Sequence, residues 1–261
     1  MTLSTTIIAN EVTDPQQFPE PTRRALADFL LALADTKRFL GIRYAEWSDS
    51  APTLEAAIAA SAMAQDELGH SRALLPMLKD FSHVDPQIPD EAPRQKYSNV
   101  AFLDQHFDSW QTFVAANALI GTALTIALEA ARDSIYVPLK TRAGKILEEE
   151  RFHWMHGAAW FKRLAADDRT RFELAAICDE IFPQALCWYG QDDLLTREKI
   201  FSADADTLRA HFLNRVGPLM SMSASAPMFS IEQGRWKYRG NLPWARYDAT
   251  TRRVENSRGR G

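Results

Sequence analysis

The sequence predicts an all-α protein built on a four-helix bundle, and three observations carry that prediction. Apolar residues recur at helical spacing along most of the 261 residues, and no strand-like alternation stands out. Breaks at 48–52, 83–93 and 133–138, rich in Pro, Asp or Ser, divide the first two-thirds into long segments. Within those segments Glu-x-x-His occurs twice, at Glu67–His70 and Glu150–His153, about 83 residues apart.

The first element follows an extended lead-in that ends at Pro19-Glu20-Pro21; Thr22 is placed to cap a helix running ALADFLLALADTKRFLGIRYAEW. After the break at Ser48–Pro52, Thr53 starts the second helix, which continues to about residue 81. A third begins near residue 100 or 107 and runs to 133, with Ala115, Ala116, Gly121 and Ala123 small enough to let a neighbouring helix approach closely. The fourth carries Glu150 and His153 and reaches about Ala165. Further helices follow, one expected to be interrupted at Pro183. From residue 231 the helical period is lost. The tail holds eight Arg or Lys against three acids and is expected to be an irregular arm, packed on the surface or joined to a partner, with its last residues disordered. The expected division is therefore a helical domain over 1–230, with its bundle core at about 22–165, and a basic tail over 231–261.

Composition narrows the function. Apolar residues at 46% and charged residues at 25% are those of a globular protein with a full core. A net charge of −4 argues against nucleic acid as the partner of the body. Cys178 and Cys187 alone make neither a disulfide framework nor a zinc ribbon. No signal peptide is visible, and no apolar run is read as a membrane span, so a cytoplasmic protein is expected.

The two Glu-x-x-His pairs carry the chemistry. Three residues on a helix bring a carboxylate and an imidazole to one face a turn apart. Two such pairs on separate helices, among apolar neighbours such as Met63, Leu74, Ile146 and Leu147, match a bundle that holds two metal ions, to which two further helices each add a carboxylate. Glu67, His70, Glu150 and His153 are thus the expected ligands. Hairpin geometry places the single carboxylate of the first half near residues 33–38, and Asp35 is the candidate, with Glu46 too close to the turn. The same construction on the second half points to residues 117–123, which contain no acid; Asn117 offers only an amide oxygen. Helix, break, helix with Glu-x-x-His occurring twice is the pattern of a ferritin-like bundle, here with extra C-terminal helices and an irregular tail.

The stretches EWSDSAPTLEAAIAASAMAQDELGHSRALL and KILEEERFHWMHGAAWFKRL resemble the phenylacetic acid catabolic family, the ferritin-like subunits of a multicomponent phenylacetyl-CoA epoxidase. QDELGH and EEERFH are similar to the iron-binding motifs of the catalytic subunit, whereas the length and LADTKRFLGIRYAEW are more similar to the partner subunit that has lost ligands. The resemblance implies a di-iron oxygenase that activates O2 on an aromatic acyl-CoA, with two irons (manganese being the alternative metal) and electrons from a separate reductase. The small-residue helix and the tail also point to a homodimer or a complex with a homologous ferritin-like subunit. Two other functions are open: a non-catalytic structural partner in such a complex, and a ferritin- or rubrerythrin-like iron oxidase.

Overall fold

The computed structural model describes residues 11–91, 93–225 and 228–255. Its frame is four long helices: α1 (Glu20–Ala45), α2 (Leu54–Leu74), α3 (Trp110–Ala130) and α4 (Val137–Ala166). They form two helical hairpins packed into an all-α, ferritin-like bundle. Three more helices, α5 (Arg171–Cys187), α6 (Leu194–Arg197) and α7 (Ala205–Met220), complete one side.

Helix ends follow local chemistry, with one shift. Pro19, not Thr22, precedes the first turn of α1; Thr22 is buried inside the helix, and Arg23 donates to Phe18 O at 2.7 Å. Thr53 caps α2 as its sequence suggests, its hydroxyl accepting from Ala56 N at 3.2 Å. Ser109 caps α3 in the same way. Helix α5 runs through Pro183 without a break, although proline leaves the carbonyl of Asp179, an exposed residue, without its helical donor. Helix α3 is long and apolar enough to cross a membrane, contrary to the expectation from sequence, but 89% of its apolar window lies inside the fold. It is the core helix of the bundle.

Two glycines set the spacing of the hairpins. A Cβ on Gly41 of α1 would stand 2.8 Å from Leu68 Cγ and 3.0 Å from Ala64 O of α2. A Cβ on Gly157 of α4 would collide with Asn117 Oδ1, where α3 widens into a π turn over Asn117–Gly121.

The tail packs on the body, one of the two placements expected of it, and holds the only strands among the described residues, all of them short. Strands β1 (Phe229–Glu232) and β2 (Arg235–Tyr238) pair antiparallel, with Phe229 opposite Tyr238. Gln233 and Gly234 between them both have positive φ (52° and 75°), the two-residue turn that suits the twist of a hairpin. Phe229 and Tyr238 pack their rings on Phe182 of α5, each with centroids 4.9 Å away. Strands β3 (Tyr247–Asp248) and β4 (Arg253–Val254) follow. Arg253 then donates to Asn99 O at 2.9 Å and to Asp104 Oδ2 at 2.7 Å, tying the tail to the loop before α3. The expected lead-in over residues 1–10 and disorder over 256–261 lie outside the described residues; the lead-in's remainder carries Val12, which bridges to Tyr136.

Candidate functional site

Helices α2 and α4 run antiparallel and turn their Glu-x-x-His faces toward each other. Glu67 and Glu150 are both buried, and so are His70 and His153. Ligand atoms of Glu67, Glu150 and His153 all lie within 4.8 Å of one another, a spacing that suits a single metal ion. His153 Nδ1 is 3.3 Å from Glu67 Oε1, and His70 Nδ1 is 3.5 Å from Glu150 Oε1. His70 Nδ1 has no hydrogen-bond partner. Four of the five ligands expected from sequence are therefore brought together.

The outer nitrogens reveal a symmetry that the motif spacing did not announce. His70 Nε2 contacts Glu149 Oε2 at 2.5 Å, and His153 Nε2 contacts Asp66 Oδ2 at 3.1 Å. Each histidine is thus held by the acid that precedes the other helix's buried glutamate. The repeated unit is acid-Glu-x-x-His, and the two copies exchange contacts across the helix pair. An acid on the outer nitrogen fixes ring orientation and tautomer, the usual support for a histidine that must face inward.

Lys37 occupies the middle. Its ammonium group is fully buried, 3.0 and 3.2 Å from the two oxygens of Glu67, and in direct contact with Glu150. Thr125 Oγ1 of α3 lies 2.9 Å from the other Glu150 oxygen. The charges are consistent with a closed cluster. Burial alone would raise the Glu67 carboxyl, but Lys37 and the two histidines hold it well below the ordinary range. Burial likewise opposes a charged Lys37, and the Glu150 and Glu67 carboxylates outweigh it and raise its pKa. His153 is also pushed up, to about 9, by the adjoining Glu67 and Glu150 in spite of burial. Two buried carboxylates therefore face two cations.

Asp35, the fifth expected ligand, is elsewhere. It is two residues from Lys37, about 200° around the same helix, so the two cannot share a face. Its oxygens accept from the Arg94 guanidinium and from Ser98 N at 2.8 Å, which pins the loop before α3 to α1. At the level of α1 expected from hairpin geometry, residues 33–38, the side chain that faces the cluster is the cation Lys37. On α3, Thr125 rather than a residue of the expected 117–123 stands opposite Glu150. Asn117 instead donates to the Tyr44 hydroxyl at 3.3 Å. Glu46 and Glu129 stay outside, paired with Arg43 and Arg215. His156, one turn beyond His153, is half-buried against Trp110 and Phe113.

These residues do not fit a two-metal centre. Such a site takes one Glu-x-x-His from each of two helices and a further carboxylate from each of the other two. Here the two further helices offer Lys37 and Thr125, and the lysine's charge fills the space between the glutamates. No curated protein matches the chain. The family model for phenylacetic acid catabolic proteins matches residues 2–250, from the lead-in through the duplicated motif and into the tail, and the chain belongs to that family.

Proposed function

We propose that this chain is the non-catalytic partner subunit of a multicomponent oxygenase acting on an aromatic acyl-CoA of the phenylacetyl type, working in the cytoplasm beside a homologous ferritin-like subunit that carries the metal. The observation that carries this reading is the Lys37 ammonium held between Glu67 and Glu150. Lys37, together with His153, offsets the two carboxylates in the folded state without any metal, so the bundle keeps the shape of an oxygen-activating subunit while its centre is sealed. Electrons from a reductase and O2 would then be used by the partner.

A second reading is favoured by the inward-facing His70 Nδ1, which bonds nothing, and by the spacing of Glu67, Glu150 and His153. In it, one transition-metal ion displaces the Lys37 ammonium. The full di-iron oxygenase reading needs more, namely two irons on Glu67, His70, Glu150 and His153 with two additional carboxylates.

Anaerobic Fe(II) loading followed by exposure to O2 separates the three. The expected result is no stoichiometric iron and no oxo-bridged absorption from the isolated chain, with a stable complex on mixing with the homologous metal-bearing subunit. About one iron per chain would favour the second reading. About two irons with that absorption would overturn the proposal in favour of the di-iron oxygenase.

A further inference from the structure

A separate cavity of about 300 Å³ lies where the tail crosses the loop after α5, its walls including Gly190, Asp192, Trp244, Tyr247, Ala249 and Arg252. Arg252 is its distinctive feature. It sits at φ 54°, and its guanidinium lies over the rings of Phe29 and Trp188 at 5.3 and 5.6 Å. Nη1 donates to Trp188 O at 2.9 Å, while Nε is buried with no partner. Among the described residues no carboxylate comes within salt-bridge distance of it.

The acids nearest to it, Asp28 and Asp192, act on Arg252 through space without pairing with it. Asp192 accepts from Leu194 N at 2.7 Å and pairs with Arg197; Asp248 accepts from Thr250 N at 2.8 Å. Asp28, pushed up to about 6 chiefly by burial and drawn back toward its charged form by Arg252, makes no ion pair with it. Arg252 is partly buried, and an arginine withdrawn from water in this way is ordinarily paired, since an unpaired charge there is costly.

The walls suggest what would pair with it. Trp244 and Tyr247 meet edge to face, centroids 5.4 Å apart, and Gly190 leaves room below the Tyr247 hydroxyl, where a Cβ would come within 3.2 Å. The volume is at the small end of ligand pockets. We infer that this cavity binds a small aromatic carboxylate, its ring against Trp244 and Tyr247 and its charge on Arg252. This site is independent of the Lys37 cluster and of the role proposed for it.

The test is titration of the full chain with phenylacetate and with benzoate, read by calorimetry and by tryptophan fluorescence, with acetate and inorganic phosphate as controls. Saturable binding of the aromatic acids is expected, with acetate and phosphate failing to compete at equal concentration. R252M should weaken binding by about tenfold or more, the loss of one charged hydrogen-bonding partner. If R252M fails to fold, A249F decides, because it fills the cavity from an exposed position without touching the arginine. Absence of saturable binding to the wild-type chain, or binding unchanged in A249F, would overturn the inference. Competition by phosphate would do so too, by showing a site for charge alone.

Discussion

Lys37 has no water to fall back on, so its charge and those of Glu67 and Glu150 depend on one another. Removing one member of a buried ion cluster costs roughly 3–5 kcal/mol, because the remaining charges are left unpaired. K37M should therefore lower the urea midpoint sharply. It should also create a metal response: Co(II) or Zn(II) is expected to raise the melting temperature of K37M and leave the wild type unmoved. A wild-type protein that gains as much from the metal would show that Lys37 does not close the site. His153 supplies a pH dependence. Its folded pKa, about 9, is above the unfolded value near 6.5. Its contribution to stability is thus fully present below about pH 6.5 and is lost as pH rises through about 9. Denaturation midpoints should fall across that window, and H153Q should flatten the fall.

At the scale of helices, close approach governs the geometry of the site. Gly41 lets α1 lie against Ala64 O and Leu68 of α2, which is how Lys37 reaches Glu67 from the neighbouring helix. Helix propensity favours alanine over glycine by about 1 kcal/mol. At Gly41, however, the backbone carbonyl at 3.0 Å cannot yield as a side chain would, and overpacking should dominate. G41A is expected to destabilise by about 1–3 kcal/mol in urea titration. Between α3 and α4 the conflict is with a side chain. G157A drives a methyl into Asn117 Oδ1, and N117A should relieve much of that loss, so the pair should be strongly non-additive in a double-mutant cycle. Additive losses would mean that α4 itself, not the asparagine, resists the change.

Across the whole molecule the tail is part of the fold rather than an appendage. Phe229 and Tyr238 cover Phe182, Trp236 lies over Gly217, and Arg253 reaches Asn99 and Asp104. Truncation after residue 225 should expose the Phe182–Phe212 surface, lower the melting temperature and increase dye binding to apolar surface. Unchanged melting would show that the strands contribute nothing to the body. The hairpin itself was hard to read in advance. Its four-residue strands are too short for alternation to stand out, and the Gln-Gly turn is a weaker signal than Asn-Gly. The run through Pro183 was equally hidden, because proline removes a helical hydrogen bond and ordinarily kinks or ends a helix.

What the sequence determined by itself is the bundle and the cluster's outline. Helical periodicity, caps such as Thr53 and the spacing of Glu67–His70 and Glu150–His153 are local properties, and they carry the helices and the four inward side chains without any knowledge of packing. Only the tertiary structure decided what stands between those side chains. Asp35 and Lys37 are two residues apart at the same level of α1, and a shift in helix rotation exchanges a ligand for a cation. That rotation is set by contacts far away in sequence: Arg94 and Ser98 hold Asp35 outward, and Gly41 seats α1 on α2, leaving Lys37 to face the two glutamates.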